Sequence, residues 1–284
     1  MDHMEIDIRS DVPQELAGAL RIAIKAAHSA GKVLMDLYSH PHDIQYKGVI
    51  DLVTEADVAS EKAVKSVITA ESQAGIMAEE SAKSLVCPEG PVWIIDPLDG
   101  TTNYAHGFPF FCVSICYYLG TPNDGMEAGP VVGVVYCPVL NEMFSAVRGC
   151  GAWLNGRPIR TTSENDLSRG LMATGFPYTI RQESQWVMEA LQSVIVRAQG
   201  IRRAGAAALD LAWLAAGRVD GFWEAGLKPW DTAAGQLLVT EAGGVVTDFA
   251  NGDYTPFMNE ILASNGALHA ELVDILKAFH GKKA

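Results

Sequence analysis

Two carboxylates three positions apart, Asp96 and Asp99, follow the apolar run Val92-Trp93-Ile94-Ile95 and precede Gly100-Thr101-Thr102. Pro97 disfavours helix at Asp96, so that acid stays extended where a strand ends. Gly100 permits a turn that other residues avoid. The backbone N–H groups of Gly100, Thr101 and Thr102 can then converge on one spot, as an anion nest or a helix N-terminus does. Acids aimed at a cation beside amides aimed at an anion describe a site for a metal and a phosphate.

Four other acids stand at element ends. Glu79-Glu80 follow the apolar stretch Gly75–Ala78, a second acid pair at a strand terminus. Asp231 opens a helix just after Lys228-Pro229. Asp57 falls in the first turn of a helix starting near Glu55. Taken singly, Asp231 reads as an N-cap, Asp57 as an acid favoured by the helix dipole, and a bare DxxDG as turn chemistry. Together they gather where active sites form. Spacing removes three rivals. An aspartyl-nucleophile phosphatase carries DxDx[TV], with one residue between its aspartates rather than two. An EF-hand wants acids at alternate positions, where this chain has Leu98. A GxxxxGK[ST] phosphate loop is missing.

The elements that must position these residues follow from periodicity. Leu16, Leu20, Ile24, Ala27, Gly31, Leu34 and Leu37 mark a helix over 14–39, with Pro13 near its start. An extended hairpin over 43–54 turns at Lys47-Gly48, and a helix runs from Glu55 to about Ala70. Strands are expected at Gly75–Ala78, Val92–Ile95 and Phe110–Leu119. Val131–Tyr136 and Met143–Val147 form a hairpin, and Asn155-Gly156 marks a type I′ turn. Beyond about residue 165 strands and helices alternate. There is a strand at Gly170–Thr174, helices over 182–197 and 206–216, and a strand at Val219–Trp223. A helix over 231–242 is closed by Gly243-Gly244, and a strand at 260–264 precedes a last helix to about 280. The layout is α+β first and α/β after, with helices covering the sheets. Two subdomains are expected, 1–165 with most of the acids and 166–284 with Asp231, packed as one unit.

Composition limits the rest. The 284 residues carry a net charge of −13, which argues against a nucleic-acid binder. The start, MDHMEIDIRS, has neither a basic segment nor an apolar one, so no signal peptide is expected. No apolar run is long enough to span a membrane. The five cysteines, an odd number without CxxC, fit reduced thiols in a cytoplasm. Cys112, Cys116 and Trp213 read as core.

The stretch WIIDPLDGTTNYAHGFPF (93–110) resembles the signature of the inositol monophosphatase family, as does WDTAAGQLLVTEAGG (230–244). AEES (78–81) is similar to the family's Gly-Glu-Glu segment, with Ala78 in place of Gly, and DLVTEAD (51–57) to its first acidic box. GIRRAGAAALDLAWLAAGRVDGFWEAGLKPWD (200–231) looks closest to the bacterial members. The motifs run in the family's order from about residue 15 to 275.

The resemblance implies a layered α-β-α-β-α sandwich of the inositol monophosphatase and fructose-1,6-bisphosphatase type. It also implies Mg²⁺-dependent hydrolysis of a sugar or polyol phosphomonoester, with myo-inositol-1-phosphate favoured. By resemblance, Glu79, Asp96 and the Leu98 carbonyl would hold one Mg²⁺ and Asp96, Asp99 and Asp231 a second. A third ion would sit at Glu79, and Mn²⁺ could substitute. Thr101, paired with Asp57, would act with Glu79 on the attacking water, without a phospho-enzyme. The amides of Gly100 and Thr101 would hold the phosphate. Asp99, Gly205, Ala206, Ala207 and Glu224 would face the polyol, and Lys47 and Glu80 are further candidates. Lithium inhibition, a homodimer and a cytoplasmic location are implied too. Fructose 1,6-bisphosphate and other small phosphomonoesters are alternative substrates. A regulatory member that binds the transcription machinery is an alternative of another class.

Overall fold

Helix α1 (Gln14–Tyr38) buries Leu16, Leu20, Ala23, Ala27, Ala30 and Leu34. That stripe at steps of three and four is the inner face of an amphipathic helix. A short antiparallel hairpin, β1 (Ile44–Tyr46) with β2 (Leu52–Thr54), leads into α2 (Glu55–Glu71). The computed structural model describes residues 12–38, 44–46, 52–87, 89–120 and 127–282. Lys47 lies outside the described residues.

A first sheet follows, built from β3 (Gly75–Ala78), β4 (Pro91–Asp99), β5 (Cys112–Leu119), β6 (Gly129–Cys137), β7 (Glu142–Val147), β8 (Gly151–Leu154) and β9 (Arg157–Pro158). A one-turn helix, α3 (Thr101–Ala105), separates β4 from β5. The seven strands lie in sequence order. β3 and β4 are parallel and every later pair is antiparallel. Asn155 and Gly156 take positive φ, 49° and 75°, in the turn that Asn-Gly announces between β8 and β9.

The second sheet holds β10 (Leu171–Thr174), β11 (Gly200–Arg202), β12 (Gly221–Ala225), β13 (Val245–Thr247) and β14 (Glu260–Ser264). Between them run α4 (Ile180–Ile195), α5 (Ala207–Ala215), α6 (Pro229–Glu241) and, last, α7 (His269–Leu276). The strand order is β11-β10-β12-β14-β13, with β10 parallel to both its neighbours and β14 antiparallel to both of its own.

Strand periodicity divides the apolar residues among three cores. In β4, Trp93 and Ile95 face the core made by α1 and α2, while Val92 and Ile94 face the core of α5 and α6. In the second sheet Phe222, Ile261 and Ala263 share that α5/α6 core. Met172, Trp223 and Leu262 instead join residues of α4 and α7. The layers are therefore α1/α2, first sheet, α5/α6, second sheet, α4/α7. This is the layered α-β-α-β-α sandwich that the resemblance implies.

Three details differ from the sequence reading. Strand β4 does not stop at Ile95 but continues to Asp99. Its pairing with β5 shifts between Asp96 and Asp99, and a bulge is where a strand tolerates a proline such as Pro97. Helix α6 starts at Pro229, two residues earlier than expected, because the proline needs no N–H partner there. The short elements α3, β11 and β13 were not anticipated, being too brief to show a period.

Helix α6 lies very close to the first sheet. A Cβ added at Gly133 in β6 would sit 2.9 Å from the Ala234 carbonyl oxygen and 3.2 Å from its Cα. Backbone stands on both sides, so neither can yield cheaply. Gly133→Ala should destabilise the protein by about 1–3 kcal/mol, the usual range for overpacking. A denaturant titration with an unchanged midpoint would contradict this packing.

Candidate active site

The bulge in β4 decides where its two acids point. On a regular strand, residues three apart face opposite sides. Here Asp96 stands opposite Ser114 and Asp99 opposite Cys112, so three steps on β4 match two on β5. Ser114 and Cys112 share a face, so both aspartates point toward α5 and α6. The Ser114 hydroxyl donates to the Trp230 carbonyl at 3.1 Å, tying this face to the start of α6.

Each acid is anchored by its own surroundings. Asp96 Oδ1 accepts the Leu98 N–H at 3.0 Å. Asp99 Oδ2 accepts the N–H of Ala208, in the first turn of α5, at 2.7 Å, and the Cys112 thiol lies 3.6 Å away. Asp231 Oδ2 accepts the Lys228 N–H at 2.7 Å, where an acid at the third helical position often closes the helix start. The N–H of Glu79 donates to the Ile95 carbonyl at 3.1 Å, which sets the end of β3 beside β4.

The rim carries a hydroxyl–carboxylate pair. Thr101 Oγ1 donates to Asp57 Oδ1 at 2.9 Å and lies 3.1 Å from the Leu98 carbonyl oxygen. The other Asp57 oxygen accepts the backbone N–H and the hydroxyl of Thr54, both at 2.7 Å. Asp57, read from the sequence as an acid favoured by the helix dipole, thus closes the start of α2 with Thr54 and is also the acceptor for Thr101. Gly100 has φ 92°, and a Cβ there would lie 3.0 Å from the Phe110 carbonyl oxygen. Only glycine turns the chain there from β4 into α3 without strain.

These groups line one cleft of about 450 Å³. Glu79, Asp96, Leu98, Asp99, Gly100, Thr101 and Asp231 are on its wall, as are Gly205, Ala206, Ala207 and Glu224. Asp57 reaches it through Thr101. Glu80 is not on the wall; its N–H donates to Glu61 Oε2 at 3.0 Å.

The charges in this cleft do not balance. Burial pushes the Asp96 carboxyl well above the ordinary range, and Glu79, Asp99 and Asp231 push it further; only the Leu98 N–H opposes. Asp99 is pushed up to about 7 by burial and then by Asp231, against the Ala208 amide. Carboxylates this close and this buried ionise together only with positive charge between them. All-oxygen donors of this kind suit a hard divalent cation such as Mg²⁺ or Mn²⁺.

The wall also holds residues the sequence reading passed over. Arg203 stood without a role inside the stretch 200–231. Asp210 was submerged in the apolar helix stretch AAALDLAWLAA, where a lone acid in the first turn was the available signal. Gly175 gave no signal, yet a Cβ there would lie 2.1 Å from Glu224 Oε2, so its lack of a side chain makes room for that carboxylate. A second group able to hold a metal, Asp248, Glu260 and His280, lies outside the cleft. Its carboxylates accept backbone N–H groups of Ala250, Gly252, Phe249 and Gly281, which clasps the chain's last turn.

Comparison with known proteins agrees with this architecture. The inositol monophosphatase family model matches residues 15–280. The Nus factor SuhB of Escherichia coli K12 is 41% identical over 249 residues, 87% of this chain and 91% of that protein. The inositol-1-monophosphatase of Synechocystis is 40% identical over 268 residues, 94% of this chain and 91% of that protein. The solved inositol monophosphatase of Anabaena superposes with a TM-score of 0.83 at 41% identity, covering 93% of this chain and 97% of that one. With matching fold and matching sequence along nearly its whole length, the chain belongs to the inositol monophosphatase family and is a phosphatase.

Proposed function

We propose that the protein hydrolyses a sugar or polyol phosphomonoester, myo-inositol-1-phosphate foremost, with divalent cations held by the cleft acids. One observation carries this reading: Glu79, Asp96, Asp99 and Asp231, from three separate elements, crowd one cleft beside the Thr101–Asp57 pair. The favoured assignment gives Glu79, Asp96 and the Leu98 carbonyl to one cation, and Asp96, Asp99 and Asp231 to a second. A third, weaker ion belongs at Glu79. Bound there, Mg²⁺ would neutralise phosphate oxygens and acidify water.

The chain's own residues supply the rest. The Thr101 hydroxyl donates its hydrogen bond to Asp57, which leaves its oxygen lone pairs to accept a hydrogen bond from water in the cleft; as that water loses its proton to Thr101, the proton of Thr101 passes to the Asp57 carboxylate. Asp57, held on its far side by Thr54, fixes that orientation. Glu79 receives the water's other hydrogen bond. The first amides of α3 have no partner within the helix and are positioned for a phosphate oxygen. Asp99 and Glu224 face the polyol with Gly205, Ala206 and Ala207. No side chain needs to be phosphorylated.

A second reading has its own support, since relatives at 41–42% identity are named Nus factors. Such a role would place the protein on the transcription machinery in addition to catalysis. Retention of RNA polymerase on the immobilised protein would support it, and no retention would remove it.

Phosphate release from inositol-1-phosphate, fructose 1,6-bisphosphate and histidinol phosphate tests the enzymatic reading. Release should need Mg²⁺, stop with EDTA and fall with lithium. Asp96→Asn should lower it by roughly 10²–10³-fold, the scale of losing one preorganised charged partner. No release from any ester would overturn the reading.

Proton linkage makes another test. A raised carboxylate favours its protonated form in the fold. The cation-free protein is therefore favoured below the ordinary carboxylate pKa of 3.8 and loses stability as pH climbs through about 7. A cation must displace that proton. Mg²⁺ binding should release protons at pH 6 and fewer at pH 8.5, and should tighten as pH rises toward 7. Calorimetry in buffers of different ionisation enthalpy reads this directly; equal proton release at both pH values would contradict it.

A further inference from the structure

The cleft wall carries two carboxylates whose side chains have no hydrogen-bond partner among the described residues, Asp210 in α5 and Glu224 in β12. Their exposures are 3% and 8%. Groups so little exposed ordinarily have a protein partner, and the oxygens of these two open on the cleft instead. Such groups are expected to be satisfied by what enters the cleft. Asp210 is the more telling of the two. An acid in a helix's first turn ordinarily caps the helix or faces solvent, and Asp210 does neither. It lies on the cleft wall beside the backbone segment Gly205–Ala207.

Arg203 lines the same wall. Its charge opposes the upward shift of both carboxyls, yet no ion pair within 4.0 Å joins it to either. Its guanidinium stacks over the Phe176 ring, 5.2 Å from the centroid. The gap between one cationic donor and two anionic acceptors has a definite chemistry. A hydroxyl fills it well, because it donates to a carboxylate and accepts from a guanidinium at once. A pair of neighbouring hydroxyls would engage both acids. A leaving group bearing a second phosphate would meet Asp99, Asp210 and Glu224 together and be repelled.

We propose that Asp210 is a specificity residue which, with Glu224 and Arg203, reads neighbouring hydroxyls of a neutral polyol leaving group. This deepens the phosphatase reading and rests on it. Asp210 acts on the leaving group, remote from the phosphate, so its loss should depend on which ester is used.

The test compares inositol-1-phosphate with phenyl phosphate, which has no hydroxyl on its leaving group, using wild type, Asp210→Asn and Asp210→Ser with Mg²⁺. The expected result is a loss of kcat/KM on inositol-1-phosphate at least tenfold greater than on phenyl phosphate, carried mainly by KM. A misfolded fraction scales both esters alike, so the ratio reads only the active molecules. Should either variant not fold, competition by free myo-inositol against phenyl phosphate in the wild type serves instead, with cyclohexanol, a six-membered ring with one hydroxyl and no phosphate, as the second competitor. Inhibition by inositol that exceeds inhibition by cyclohexanol supports the proposal. Equal losses on both esters, or cyclohexanol competing as well as inositol, overturns it while leaving the phosphatase reading standing. A wild type that hydrolyses neither ester overturns both.

Discussion

Buried carboxylates repel one another, and this fold gathers several of them. Asp96 is 2% exposed and lies in the field of Glu79, Asp99 and Asp231. In isolation that arrangement opposes folding, since ionised groups out of water lose their solvation and gain only repulsion. It persists because the layers around it are well packed and because Asp96 and Asp99 accept backbone N–H groups and Asp231 closes the start of α6. That mutual repulsion is what gives a cation its place. The same negative charge that destabilises the apo cleft is the source of affinity when positive charge arrives.

The layers explain how such a site is kept rigid. β4 lies inside the first sheet, paired with β3 and β5, with apolar side chains on both faces. Its bulge turns Asp96 and Asp99 to one side without breaking the pairing. Helix α6 brings Asp231 to them, and its close approach at Gly133 fixes the distance. Helix α5 offers the Ala208 amide to Asp99, so the two middle helices both end their chain entry at the same cleft. The Thr101 hydroxyl connects this interior to α2 through Asp57. Acids from the sheet, the middle helices and the outer helix layer thus meet where the layers open.

Much of this was legible in the residues. The long periods of α1 and α2, the Asn-Gly turn and the apolar strands appear because burial repeats at 3.6 or 2 residues. The acids were legible because they break an apolar run or stand in the first turn of a helix. What escaped had no repeat to show. Strand β4 looked finished at Ile95 because Pro97 and two acids resemble a loop, whereas the bulge accommodates them. Arg203, Asp210 and Gly175 come together only through the second sheet and α5. Gly175 in particular matters for an absent side chain opposite a residue 49 positions away. Such pairings are set by tertiary packing, which no local pattern encodes.

The central claim is that the cleft acids hold divalent cations. Anomalous diffraction from crystals grown with Mn²⁺ tests it most directly, because it locates the ions without reference to activity. The account predicts anomalous peaks within the cleft, one among Asp96, Asp99 and Asp231 and one among Glu79, Asp96 and the Leu98 carbonyl. A cleft without a peak, with manganese confined to Asp248, Glu260 and His280 or absent altogether, would contradict it.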